Sequence, residues 1–204
     1  MITIVDYGIG NINAFINIFQ EQGIECSLAK TPDQLMKAKK IILPGVGHFD
    51  FAMEKLEESG MIDMLHQQVI MHKIPILGIC VGMQMMADSS EEGNRKGLGW
   101  IKSKVVKIDT SALHQNTLLP HMGWNTVSKK KDSILFHNIN EAEDFYFLHS
   151  YCMDCDEEQN IIATTYYGNE ITVVVQKDNI YGIQCHPEKS HIAGMEFLKN
   201  FANI

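Results

Sequence analysis

No apolar run in the sequence approaches the roughly 20 residues of a membrane-spanning helix. Its opening, MITIVDYG, lacks a basic flank leading into an apolar stretch and reads as no secretory signal. Positive charge is scarce: 17 Lys and Arg stand against 25 Asp and Glu, a formal net charge of −8. Lysines gather only at Lys37, Lys39 and Lys40 and in the run Lys129 to Lys131, a solvated turn. No broad basic footprint is left for a nucleic-acid backbone. Cysteine is limited to five residues without regular spacing, which excludes a disulfide framework and points to a reducing, cytoplasmic setting. The pair Cys152-x-x-Cys155 has no second ligand pair at zinc spacing, so neither a metal nor a cofactor is expected.

The chain of 204 residues is long enough for one sizeable core, and residues 1–204 are read as a single domain. Apolar runs at Ile2 to Val5, Glu25 to Ala29, Ile41 to Leu43 and Pro75 to Cys80 alternate with helical spacing through Ile12 to Gly23, from Thr31, through Phe51 to Leu56 and through Met61 to Met71. This alternation predicts a mostly parallel sheet flanked by helices. From Trp100 the pattern changes to short strands at Trp100 to Ile108, Asn125 to Ser128, Phe145 to Cys152, Ile161 to Tyr167, Ile171 to Gln176 and Ile180 to Gln184. Polar turns between them predict an antiparallel C-terminal half, closed by a helix from Ile192 to Phe201, and Thr110 to Asn116 is expected to be a flexible loop.

The stretch GICVGMQ, residues 78 to 84, has the G-x-C-x-G spacing of a nucleophile elbow, with sulfur in place of a serine oxygen. Alone, such a cysteine is more often buried packing. At the start of a methionine-rich helix, however, Cys80 would meet free N–H groups that favour its thiolate. Met83, Met85 and Met86 are expected to fill the core behind it. The segment QCHPEKS supplies a base: His186 and Glu188, two apart on an extended segment stiffened by Pro187, would project to one side. Cys80, His186 and Glu188 then form a nucleophile, base and orienting carboxylate. Donors for an oxyanion are expected from the Val81 N–H and the turn Gly45-Val46-Gly47. His121 and His149 lack a carboxylate two positions on and are read as structural or interface residues, and Cys185 as packing.

GICVGMQ together with QCHPEKS resembles the class I (triad) glutamine amidotransferases. DYGIGN, LPGVGHFDFAM, PHMGWN and FYFLHSY further resemble the HisH family, the glutaminase subunits of imidazole glycerol phosphate synthase. The resemblance implies a flavodoxin-like α/β fold and hydrolysis of L-glutamine to glutamate and ammonia through a thioester on Cys80. It implies a heterodimer with a (β/α)8-barrel cyclase, HisF-like, that takes the ammonia into histidine biosynthesis. It assigns Gln84, Gly47, Ser150 and Tyr151 to substrate binding, and Asn11, Trp124, Tyr146 and Lys189 to the partner face. Two departures, Ile12-Asn13-Ala14-Phe15 after DYGIGN and His191 after HPEKS, are more like HisH-like relatives found with surface-glycan genes. The first alternative is therefore a sister glutaminase whose barrel partner aminates or amidinates a sugar. The second is a non-catalytic thiol or redox protein on a similar scaffold.

Overall fold

The computed structural model describes residues 1–113, 118–141 and 143–204. In the first half strands and helices alternate: β1 (Ile2–Val5), α1 (Ile12–Glu21), β2 (Cys26–Ala29), α2 (Pro32–Leu35), β3 (Ile41–Gly45), α3 (Phe49–Glu58), α4 (Ile62–His66), β4 (Ile76–Cys80) and α5 (Val81–Gln84). The second half is strand-rich: β5 (Ser89–Ser90), β6 (Ser103–Lys107), β7 (His121–Thr126), β8 (Ser128–Lys129), β9 (Asp144–His149), β10 (Tyr151–Cys155), β11 (Ile161–Tyr167), β12 (Asn169–Lys177) and β13 (Ile180–Ile183), closed by α6 (His191–Ala202). The expected loop over 110–116 lies partly outside the described residues.

One sheet runs β2-β1-β3-β4-β13-β12-β10-β6-β5, with β11 paired to β12 and β8 to β11. Pairing is parallel from β2 to β13 and antiparallel through β12, β10 and β6. Every residue of β1, β3 and β4 is buried, which is why these strands read as unbroken apolar runs: helices cover both faces. Helix α1 adds Phe15 and Phe19 to that core, each worth about 1.5–3 kcal/mol of burial. The C-terminal end is fastened by Phe136, Phe145 and Phe197, which meet edge to face at 5.5–6.5 Å.

Several elements differ from expectation: the strand expected over Asn125 to Ser128 is divided at Val127 between β7 and β8, and three more differ for a local reason. The helix expected over Met61 to Met71 changes after α4 into a π-helical turn, Gln67–Met71. There Asn179 Nδ2 donates to the carbonyls of Val69 and Ile74, both at 2.9 Å. The strand expected from Trp100 starts only at Ser103, because the N–H groups of Trp100 and Ile101 both go to the Met86 carbonyl. The strand expected over Phe145 to Cys152 is two: β9 pairs with β7 in a separate ribbon, and β10 joins the main sheet after a break at Ser150. That break opens the wall of the site.

Candidate active site

In an open parallel sheet the C-terminal ends of the strands line one edge. Here the ends of β3, β4 and β13 stand side by side, with Gly45 opposite Cys80 and Ile183 opposite Ile79. Cys80 itself lies in a rarely occupied backbone region, φ 54° and ψ −116°, so its thiol stands at a sharp strand-to-helix corner. Three glycines permit that corner. A Cβ on Gly82 would sit 1.9 Å from the Leu43 carbonyl oxygen, one on Gly78 2.6 Å from the Gly82 oxygen, and one on Gly45 2.3 Å from the Gly82 nitrogen. Met83, Met85 and Met86 are fully buried behind it. The expected methionine-rich helix is, however, a single turn, because beyond the Met85 N–H bond to Val81 the chain tightens, Met86 N–H donating to Met83 and Ala87 N–H to Gln84. A turn this short offers Cys80 its first N–H groups but no long helix dipole.

The opposite wall is the turn after β13. His186 and Glu188 are not on an extended segment: Pro187–Lys189 is a 3-10 turn with proline at its first position, where a fixed φ suits a helix start. The two side chains still meet, with His186 Nδ1 2.8 Å from Glu188 Oε1. Ser190 stitches this turn to the ribbon, accepting the Tyr146 N–H at 3.0 Å and donating to the His186 carbonyl at 2.6 Å. Burial of the imidazole disfavours its charged form, but hydrogen bonds to Cys80 and Glu188 outweigh that and push its pKa up to about 10. The second Glu188 oxygen, Oε2, is buried with no donor among the described residues.

A pocket of about 350 Å³ opens between these walls, lined by Cys80, Val81, Gln84, Val46, Gly47, Ser150, Tyr151, His186 and Lys189 among others. It thus brings together most of the residues expected at the site. Gly45 and Glu188 lie outside the lining: Gly45 sits in β3, where it lets the elbow pack close, and Glu188 stands behind the His186 ring. Gly47, at φ +84°, turns the following chain along the rim. The loop is braced from behind by Tyr7 of DYGIGN, whose hydroxyl donates to the Pro44 carbonyl at 2.6 Å. Gln84 lines the pocket, yet its amide nitrogen is spent inward, on the Tyr151 carbonyl at 3.1 Å and Gln184 Oε1 at 2.9 Å.

Two lining or adjoining residues escape a reading of the sequence. Gln184 is fully buried and directs its amide nitrogen at Cys80 Sγ, 3.7 Å away. The adjacency of β4 and β13 is its only signal. Glu92 reaches the pocket from the turn after β5, and its Oε2 accepts the Phe49 N–H at 2.8 Å. No periodicity marks that turn.

Beside the pocket, Trp124 and Tyr146 meet edge to face at 5.8 Å and Lys189 Nζ lies 5.5 Å over the Tyr146 ring. Met122, Trp124 and Leu148 are exposed on the same ribbon. Asn11 is exposed at the start of α1, which packs against the Pro187–Lys189 turn. Cys152 and Cys155 are held protonated by burial, each pushed up to about 12.

Comparison with known proteins agrees with this layout. The model of the family glutamine amidotransferase class-I matches residues 3–204. The imidazole glycerol phosphate synthase subunit HisH of Leptospira interrogans is 47% identical over 204 residues, all of both chains. That of Bdellovibrio bacteriovorus is 48% identical, also over the whole of both. A crystal structure of a glutamine amidotransferase superposes with a TM-score of 0.75 at 16% identity, covering 100% of this chain and 99% of that one, a likeness of fold. The chain belongs to the class I glutamine amidotransferases, within the group of HisH subunits of imidazole glycerol phosphate synthase.

Proposed function

We propose that this chain is the glutaminase subunit of an imidazole glycerol phosphate synthase, with Cys80 as nucleophile, His186 as acid and base, and Glu188 holding the imidazole. The observation that carries the proposal is a thiol on a strained elbow facing a His–carboxylate pair across one pocket. Cys80 sulfur attacks the side-chain carboxamide of glutamine, and the oxygen of the tetrahedral adduct is met by the Val81 N–H and by N–H groups of the Val46-Gly47 rim. His186 delivers a proton to the departing nitrogen, leaving a thioester and ammonia. Water, deprotonated by His186, then attacks the thioester and releases glutamate. Glu92 is the one carboxylate among the lining residues and suits the α-ammonium of the substrate. Gln84, Ser150 and Tyr151 form the wall against which its main-chain atoms rest. Ammonia passes to a (β/α)8-barrel cyclase docked on the apolar face of Met122, Trp124 and Leu148 with Asn11, Tyr146 and Lys189 nearby. The five free cysteines fit a reducing cytoplasm.

The test is a coupled assay. Cys80→Ala abolishes glutamine hydrolysis in the complex while synthesis from added ammonium persists; loss of both would assign Cys80 to folding or docking instead. A redox thiol protein would form no glutamate with any partner, a reading that family membership speaks against. A sister glutaminase serving a sugar-modifying barrel shares the site and differs in its partner. It is favoured by His191, which holds φ +47° and stacks on Trp124 at 4.8 Å, altering the docking face. Absence of stimulation by the histidine-pathway cyclase would decide for it.

A further inference from the structure

Polar side chains in and behind the pocket wall form one line that runs inward from half-buried Asn125, and its donors follow from the groups that can only accept. His149 Nδ1 lies 2.8 Å from the Tyr151 carbonyl, which can only accept, so this nitrogen carries the proton. In a neutral ring His149 Nε2 must then accept, and the group facing it at 3.0 Å, His121 Nδ1, must donate. His121 Nε2 is left as an acceptor and receives the Asn125 amide at 3.2 Å. From the other side, Gln84 Nε2 donates to the same Tyr151 carbonyl and to Gln184 Oε1. That orientation leaves Gln184 Nε2 to donate to the Cys80 sulfur.

We infer that Asn125, His121, His149, Gln84 and Gln184 form a positioning chain, running from the β7–β9 ribbon to the Cys80 sulfur, in which both imidazoles are neutral Nδ1–H tautomers. The inference rests on the proposal that Cys80 is the nucleophile. A charge on His149 would set two donors face to face at 3.0 Å, and a charge on His121 would set its Nε2–H against the Asn125 amide at 3.2 Å, so either would break the line. Burial opposes such a charge, holding His149 down to about 3 and His121 to about 4. Among the described residues, His186 bears on His149, Cys80, Glu92, Tyr151 and Lys189 share the pocket that His149 lines, and the Tyr167 ring stacks on His121 at 4.1 Å. His121 lies between that ring and Phe147, 4.8 Å away, and outside the pocket lining, so its packing and its hydrogen bond can be separated by substitution. The chain begins one residue from Trp124 on the exposed ribbon and ends at the reacting atom. It therefore gives the ribbon a direct mechanical hold on the orientation of the thiol.

Imidazole nitrogen NMR of the complex at pH 7 tests the tautomers. Protonated Nδ1 and unprotonated Nε2 in both His121 and His149 are expected; Nε2–H in either ring would overturn the assignment. His121→Phe retains an aromatic stack and loses the donor, whereas His121→Asn supplies an amide in place of Nδ1–H and loses the stack. A positioning role predicts that His121→Phe lowers kcat and the rate of Cys80 alkylation by iodoacetamide about tenfold with KM within about twofold, the loss of one buried hydrogen bond. His121→Asn recovers much of that rate despite its poorer packing. The reverse order, or equal rates in Phe and wild type, would reduce the pair to core filling. If instead Cys80→Ala keeps full hydrolysis, the nucleophile assignment fails, and the tautomers still report on the chain by themselves.

Discussion

Glu188 Oε1 lies 2.8 Å from His186 Nδ1, and both side chains are almost wholly buried, at 3% and 6% exposure. A carboxylate so placed fixes which imidazole nitrogen faces the thiol and stabilises the imidazolium. Glu188→Gln keeps the shape and removes the charge, so kcat for glutamine should fall about 10²- to 10⁴-fold, less than for His186→Ala. Glutamate release measured in the complex checks both; wild-type activity in Glu188→Gln would remove it from the mechanism.

The same pair shapes stability at alkaline pH. His186 binds its proton more tightly folded, at about 10, than at the ordinary 6.5. Between these values the unfolded chain has already lost the proton, so the contribution is complete below about 6.5 and fades as pH rises toward 10. Urea midpoints across this range should fall for wild type and fall less for His186→Asn.

His121 and His149 give the opposite slope on the acid side. Each is held neutral in the fold, at about 4 and about 3, against 6.5 when free. Below pH 6.5 the unfolded chain takes up protons that the fold refuses, so stability drops as the pH falls through this window. Replacing one ring by phenylalanine, as in His121→Phe, should flatten the acid limb of the urea midpoint curve by about one proton; an unchanged limb would show the ring charged in the fold.

The elbow glycines differ sharply from surface ones. Gly82→Ala drives a methyl carbon to 1.9 Å of the Leu43 oxygen, a backbone atom that cannot swing aside. It should cost about 3 kcal/mol or more by denaturant unfolding, displacing Cys80 and lowering glutaminase activity with it. Gly60→Ala meets no atom within 4 Å and bears only the strain of φ +69°, about 1 kcal/mol.

Trp124 is 47% exposed beside Tyr146 and the Lys189 ammonium. If the barrel docks there, Trp124→Ala should weaken its binding by about 2 kcal/mol, close to 30-fold. Calorimetric titration of the barrel subunit measures this directly, and an unchanged Kd would move the interface elsewhere.

The strand before Cys80 was legible because both its faces are covered and no alternation interrupts ILGIC. The His-Pro-Glu turn was legible in its residues but not in its shape, since a proline fixes a φ that suits an extended segment and a helix start equally. Gln184 was hidden because its contact with Cys80 depends on the register between β4 and β13, and no local pattern states a register. The His121–His149 pair was hidden likewise. Each histidine alone reads as a structural or interface residue, and only the antiparallel pairing of β7 with β9 places them opposite each other.

Strand β13 occupies the middle of the sheet, between β4 and β12, although among the described strands it comes last in the chain. A growing chain that ends before Ile180 has the elbow strand and its neighbours but an empty slot beside Cys80, and neither Gln184, His186 nor Glu188. Closing that slot requires contacts across about half the chain, a topology that favours slow, late consolidation. The proposed nucleophile therefore gains its base and carboxylate only after residue 188 has been made, and on that reading a chain cut short of it cannot consume glutamine.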